Sequence, residues 1–320
     1  MTIEKRDLDG SMRESDKIMR ESDDVDFYPP SVPTTHTTTS TTYLSKVPRV
    51  ILADKTAPCV LGVDEAGRGP VLGAMVYGVS YCLQDYERQL KSDYGFADSK
   101  TLSEERRTQL MAQICDESSE LFENIGWATR SLTAADISSG MLKPNAVGNY
   151  NLNEQAHDAT IDLIQHVLDL GVNLAHVYVD TVGPPVSYQT KLSARFPGVK
   201  FTVAKKADAI YPIVSTASIC AKVTRDYNLE FYRKRFLGEE PWGCGYPSDP
   251  RTTKWLKGKV DPLYGWNSMV RFSWQTSKDA LKNGGAAEIV WEEDDSAKAA
   301  EALDKMDLST LWWGSNTVLG

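Results

Sequence analysis

Four acidic residues stand where their types and spacing could do chemistry. Asp64 and Glu65 are adjacent in CVLGVDEAGRG, Asp180 closes the apolar run AHVYVD, and Asp208 ends VKFTVAKKAD. Each follows a β-branched stretch, so all four fall at or near strand ends of one expected sheet. Carboxylates gathered in this way repel one another unless cations sit between them, and a set without His or Cys favours hard divalent ions. Two such ions about 4 Å apart can activate a water and stabilise the leaving oxygen of a phosphodiester. The chemistry expected is phosphoryl transfer. Taken singly, Asp180 before Thr-Val-Gly-Pro-Pro also reads as a turn former, and Asp208 as the N-cap of a helix with Pro212 in its first turn. It is the convergence of the four that favours a metal site.

Adjacent residues of a regular strand face opposite sides, so Asp64 and Glu65 are expected to share a site only if the strand ends or bulges there. Gly67 and Gly69 allow that irregularity and let backbone N–H groups approach a ligand closely. A dinucleotide fingerprint is excluded: it needs glycine at 72, where the chain has Leu72, and it would set two acids beside a pyrophosphate.

The elements that must position these residues alternate along the chain. Cys59 to Val63 and Val71 to Val79 read as strands, as do Ala175 to Asp180 and Val199 to Asp208. DSKTLSEERRTQLMAQI carries a possible capping box, Thr101 with Glu104, ahead of a helical apolar face. NEQAHDATIDLIQHVLDLG reads as a helix from Asn153 to Gly171, and Ala209 to about Phe236 as a long one. Such alternation argues for an α/β domain with a layered sheet.

At 320 residues and 41% hydrophobic, the chain can bury a full core. Its charged start and the lack of any apolar run near 18 residues imply neither signal peptide nor membrane span, hence an intracellular protein. Five cysteines without a C-x-x-C pair argue against a disulfide framework or a zinc site. The net charge of -9 is uneven. Residues 1–45 and 286–320 are acidic, whereas 191–259 carry 14 basic and 6 acidic residues, a local excess that suits a polyanion. The acidic, threonine-rich stretch 1–45 reads as a disordered leader, and the acidic tail 286–320, with Trp312 and Trp313, as a partner-docking segment.

VDEAGRGPVLG, DSKTLS, YNLNEQAHDATIDLI, VYVDTVGPP, KADAIYPIVSTASICAKVTRD, GCGYPSDPRTTKWL and VRFSWQT, in this order, resemble the catalytic subunits of eukaryotic type 2 ribonuclease H over residues 58–276. The resemblance implies an RNase H-like mixed sheet flanked by helices at residues 46–235, and a helical, substrate-contacting C-terminal part at 236–285. It implies an endoribonuclease that cuts the RNA strand of RNA–DNA hybrids and the 5′ side of single ribonucleotides in duplex DNA, leaving 3′-hydroxyl and 5′-phosphate ends. Two Mg²⁺ or Mn²⁺ ions, a heterotrimer with two non-catalytic subunits, and a nuclear role in replication and ribonucleotide removal are further implications.

Carried over by motif, Asp64, Glu65, Asp180 and Asp208 are the metal-binding carboxylates. Gly67, Arg68 and Gly69 read the ribose 2′-hydroxyl through their backbone, and Tyr246 stacks at the junction between RNA and DNA. Lys100 of DSK resembles a phosphate contact, and His157 and Asp158 a pair near the site. Ser215, Ser218 and Lys222, spaced i, i+3, i+7 on one helix face, are weaker nucleic-acid contacts. Asn149 stands where the family usually has a basic residue, so that one phosphate contact is either lost or moved to Lys143. Two other readings remain: an RNase H-fold, resolvase-like DNA nuclease indifferent to the 2′-hydroxyl, and a non-catalytic nucleic-acid-binding subunit, which the four intact carboxylates disfavour.

Overall fold

Short β-branched runs alternating with amphipathic stretches build one six-stranded sheet with helices on both faces. The computed structural model describes residues 27–96, 102–143, 148–181, 183–236 and 241–286. The strands are β1 (Thr41–Leu44), β2 (Cys59–Ala66), β3 (Met75–Leu83), β4 (Gly126–Leu132), β5 (Leu174–Asp180) and β6 (Lys200–Ala204). They lie in the order β1-β4-β3-β2-β5-β6. The first four in space pair antiparallel, while β5 and β6 extend the sheet from β2 in parallel. This is the mixed RNase H-like sheet expected.

The helices are α1 (Arg49–Ala53), α2 (Glu87–Ser92), α3 (Glu104–Cys115), α4 (Glu120–Asn124), α5 (Ala134–Met141) and α6 (Leu152–Asp169). They continue with α7 (Pro185–Arg195), α8 (Ala207–Ile210), α9 (Pro212–Phe236), α10 (Pro250–Gly258) and α11 (Gln275–Asn283). On one face of the sheet, α6 and α7 bury Leu163, Ile164 and Leu192 with Leu61, Val63 and Val177. On the other, α9 and α3 bury Ile213, Val214, Leu110 and Met111 with Val60, Cys82 and Trp127. Each such side chain contributes about 1.5–3 kcal/mol when fully buried. The close seat of α9 depends on Gly62, where a Cβ would come within 2.4 Å of the Ile213 carbonyl oxygen. Ser80 Oγ donates to that same carbonyl at 2.7 Å.

Two helix starts differ from expectation. Helix α6 is capped by Asn151 rather than Asn153: the Asn151 side chain accepts from the N–H groups of Asn153 and Glu154, and Glu154 accepts from Asn151 N–H. Of the two asparagines only Asn151 has a Glu three residues later, so only it can close the reciprocal box. Helix α3 is capped by Ser103, whose side chain accepts from Arg106 N–H; Thr101 lies outside the described residues.

A third core joins the C-terminal part to the sheet domain. Trp242, Trp255, Leu256, Met269 and Val270 pack on Val71 and Leu72, just beyond β2, and on Tyr232 of α9. No helix among the described residues is long and apolar enough to cross a membrane.

The expected disordered leader is corrected over residues 27–45. Thr41–Leu44 form β1, paired with β4 from Thr41↔Ser131 to Leu44↔Ala128. Upstream, Ser31 Oγ and Thr224 Oγ1 share a buried hydrogen bond of 2.7 Å, Tyr232 donates to the Thr37 carbonyl at 2.7 Å, and Ser40 N–H donates to Asp136 at 2.6 Å. Composition predicts disorder because the segment has little apolar area of its own, but its polar groups are satisfied by partners elsewhere in the chain. Residues 1–26 and the tail with Trp312 and Trp313 lie outside the described residues.

Thr224 is fully buried, so Thr224→Val should strand the Ser31 hydroxyl and cost about 1–3 kcal/mol in urea unfolding. Adding Ser31→Ala should recover most of that loss. A neutral Thr224→Val would show that the strap is not seated in solution.

Candidate active site

The site begins where β2 loses one neighbour. Its parallel pairing with β5 stops at Val63↔Val179, but its antiparallel pairing with β3 runs on through Asp64↔Gly78, Glu65↔Tyr77 and Ala66↔Val76. The strand neither ends nor bulges at the acidic pair, against expectation, and the two side chains leave opposite faces. Asp64 turns toward α9 and is 5% exposed; Glu65, on the α6 face, lines a cleft. Asp180, the last residue of β5, follows Val179 as Asp64 follows Val63, so the acids approach a common edge from two sides.

Burial pushes the Asp64 carboxyl well above the usual carboxylate range, and the negative charges of Glu65 and Asp180 push it further the same way. A hydroxyl hydrogen bond from Ser218 and the Glu65 N–H, at 2.7 Å, partly offset this. Asp180 accepts the Ala207 N–H at 2.8 Å, and Thr181 N–H donates to the Ala204 carbonyl at 3.2 Å. Between them Lys206 takes a left-handed conformation, φ 56°, the one non-glycine residue with positive φ among the described residues. The turn carries Asp208 into the first turn of α8 at 2% exposure. The acid sits one residue inside that helix, and the position before the helix belongs to Lys206.

Asp64, Glu65 and Asp180 are therefore coupled directly, and Asp208 is tied to them through the residue bonded to Asp180. Among the described residues no three acidic, His or Cys side chains already surround one point at ligating distance. The donor set still fits a hard divalent cation: it is built of carboxylates, and one of them is buried at a cost that a nearby positive charge would relieve.

The loop after the acids is fixed by its backbone. Gly67 has φ 78°, and a Cβ there would meet the Ala74 carbonyl oxygen at 2.7 Å. Val71 N–H donates to the Gly245 carbonyl at 2.8 Å, Arg271 N–H to the Val71 carbonyl at 2.9 Å, and Gly73 N–H to the Met269 carbonyl at 2.8 Å. This wedges the loop between the two C-terminal segments. One of them carries Tyr246, 42% exposed, with its ring 3.3 Å from where a Cβ on Gly69 would lie. Arg68 reaches the other way, its guanidinium donating to Asn153 at the start of α6.

The cleft holding Glu65, Arg68, His157 and Asp180 has a volume of about 100 Å³, room for a few waters at roughly 30 Å³ each. His157 lines it, stacked on Tyr188 at 4.0 Å, and burial lowers its imidazole below the ordinary value. Asp158, next on the helix, accepts from the Tyr150 hydroxyl at 2.6 Å, and its negative charge partly offsets the lowering of His157. Ser215 and Ser218 are both fully buried, which corrects the expectation of nucleic-acid contacts; Ser218 supports Asp64 instead. Lys222, one turn further, is half-buried. Lys143 is exposed, 5.9 Å from the Tyr150 ring centre, and Asn149 is exposed; Lys100 lies outside the described residues.

Sequence reasoning missed Arg271 and Trp274. Arg271 is fully buried and donates to three carbonyls, those of Gly67 at 2.6 Å, Arg68 at 3.0 Å and Gly73 at 2.9 Å. Trp274 Nε1–H donates to the Gly69 carbonyl at 3.1 Å, and its ring lies 4.7 Å from the Arg271 cation. Burial and the nearby Arg225 charge lower Arg271 to about 9, still a cation at neutral pH. The signal available was an arginine inside the apolar run MVRFSW.

The profile of the Ribonuclease HII family matches residues 61–277. The A subunit of ribonuclease H2 from Schizosaccharomyces pombe is 48% identical over 315 residues, covering 96% of this chain and 94% of that protein. The corresponding ribonuclease H2 polypeptide of Neurospora crassa is 47% identical over 282 residues, covering 87% of this chain and 88% of that one. Among solved structures, the ribonuclease H2 from Pyrococcus horikoshii OT3 has a TM-score of 0.57 at 30% identity, over 71% of this chain and 98% of that one. The matched span includes the four acids, the Gly67–Gly69 loop and the arginine that holds it, and on that footing the chain belongs to the ribonuclease HII family of hydrolytic endoribonucleases, with ribonuclease H activity on RNA–DNA.

Proposed function

We propose that this chain hydrolyses the RNA strand of RNA–DNA hybrids and also incises on the 5′ side of single ribonucleotides embedded in duplex DNA, leaving 3′-hydroxyl and 5′-phosphate ends. The observation that carries the reading is the junction at β2: Asp64 and Glu65, coupled to Asp180 of β5, lie within a few residues of a loop whose backbone and neighbouring Tyr246 can inspect a sugar. Asp64, Glu65, Asp180 and Asp208 would hold two Mg²⁺ or Mn²⁺ ions, which when bound supply the activated water and the charge that stabilises the leaving 3′-oxygen.

The chain's own residues do the rest. The acids set the place, at the edge where β5 ends, where bound cations would draw in the reacting phosphodiester. N–H groups of the Gly67–Gly69 loop meet the 2′-hydroxyl, which deoxyribose lacks. The Tyr246 ring covers the neighbouring deoxyribose, marking the RNA-to-DNA step. The basic excess over residues 191–259 suits the phosphate backbone. Two non-catalytic subunits and a nuclear site of action, in replication and ribonucleotide excision repair, complete the proposal.

Asp64→Asn or Asp180→Asn should lower cleavage of a one-ribonucleotide duplex by more than about 100-fold, since loss of even a metal's outer partners costs 10–100-fold. Near wild-type turnover would end the carboxylate assignment. Tyr246→Ala should remove interaction on the scale of a nucleotide–aromatic stack, about 1–3 kcal/mol, from junction cutting, and less from cutting a long hybrid. Equal losses on both substrates would count against its role at the junction. Parallel assays on all-DNA, one-ribonucleotide and hybrid duplexes with Mg²⁺ test the whole reading, because cleavage of all-DNA duplex would favour a DNA nuclease.

The raised Asp64 value gives a test that does not depend on turnover. An acid whose folded value is raised binds more protons folded than unfolded above about pH 4, so its contribution lowers stability as pH rises through the folded value. In metal-free buffer at neutral pH, Asp64→Asn should therefore melt at a higher temperature than wild type, with the gap closing toward pH 4. Millimolar Mg²⁺ should raise the wild-type midpoint more than that of the variant. A variant less stable than wild type at neutral pH would contradict the strained cluster.

A further inference from the structure

Consecutive carbonyls at Gly67, Arg68 and Gly69 are all taken by one short C-terminal segment: the first two by Arg271, the third by Trp274. In a planar trans peptide the carbonyl and the following N–H point in opposite directions. Anchoring the Gly67 and Arg68 carbonyls on Arg271 therefore turns the Arg68 and Gly69 N–H groups away from it. The third anchored peptide leads into Pro70, which has no N–H, so the loop offers two adjacent donors and then stops. The planar guanidinium fork matches this arrangement, since its Nη1 and Nη2 serve the two consecutive peptides while Nε reaches Gly73. An ammonium group cannot span the three.

We propose that Arg271 and Trp274 are positioning residues for sugar choice. They fix two peptide planes so that the Arg68 and Gly69 N–H groups are presented to the 2′-hydroxyl, and they do so without touching the substrate. The inference rests on the reading that this loop inspects the ribose. It adds that the choice is set from the C-terminal part, whereas the acids that cut are held by β2, β5 and α8.

The test uses the full-length chain in its active assembly, as Arg271→Lys and as Trp274→Phe, which keeps a ring but frees one carbonyl. Three quantities are measured: kcat and KM on a one-ribonucleotide duplex, the inhibition constant of an all-DNA competitor duplex, and the thermal midpoint. Arg271→Lys should lose about 10-fold or more in kcat/KM, the scale of one hydrogen bond to a charged group, and Trp274→Phe about 2- to 10-fold, the scale of a neutral one, while the all-DNA inhibition constant moves by less than about 2-fold in either. Arg271→Lys should lose more than Trp274→Phe. A merely structural role would weaken both readouts together, and that result, or an unchanged kcat/KM, overturns the proposal. If Arg271→Lys does not melt cooperatively, Trp274→Phe decides alone, because its ring is already partly exposed. If wild type itself shows no preference for the ribonucleotide duplex over its all-DNA counterpart, it is the sugar reading of the loop that fails.

Discussion

The structure turns on a mismatch in the pairing of β2, which is bonded on both sides as far as Val63 and on one side only through Ala66. β3 holds those three residues in place, and β5 closes beside them at Asp180. A bulge would have put Asp64 and Glu65 on one face, under a single helix layer. The regular strand instead sends one acid to each face, and both stay close to Asp180, which closes β5 at the same level. The topology supplies a convergence that local irregularity was expected to supply.

Convergence has an electrostatic cost, and the surroundings show how it is contained. Asp64 is the most desolvated member of the coupled set, and it is the one given a hydroxyl from Ser218 and a backbone N–H from Glu65. Asp180 receives its N–H from Ala207, in a turn that needs Lys206 at positive φ. Such strain, on the order of 1–3 kcal/mol, persists when the surrounding packing over-determines it, and it is common at functional sites. Here the packing is the parallel end of the sheet on one side and α9 on the other.

Much of this was legible in the sequence, for reasons that also mark where legibility ended. Acids at the ends of β-branched runs identified the sheet edge, because strand propensity and an abrupt carboxylate are both local signals. The direction of the Ser215–Ser218–Lys222 face was not legible. Spacing says that three residues share a face, but α9 is buried over most of its first half, so that face turns inward onto β2 and β3. The leader misled because composition weighs what a segment can bury by itself, whereas Ser31, Thr37 and Ser40 are held by Thr224, Tyr232 and Asp136. Arg271 escaped because charged residues default to the surface; its burial is tolerated only where several carbonyls gather, and those carbonyls belong to a loop some two hundred residues earlier.

That long-range contact bears on how the C-terminal part should be understood. Val71 and Leu72 share a core with Trp242, Trp255 and Val270, and the loop between β2 and β3 is hydrogen-bonded to the chain near Gly245 and again from Met269 to Trp274. The C-terminal part is thus the outer wall of the loop rather than a module attached to a finished catalytic domain. Within Asp64–Gly69 the chain passes from one authority to the other: the carboxylates take their positions from strand pairing, and the peptides after them from a buried guanidinium. Gly67, at φ 78°, is the hinge between the two regimes, and a side chain there would meet the Ala74 carbonyl oxygen at 2.7 Å and crowd Arg225.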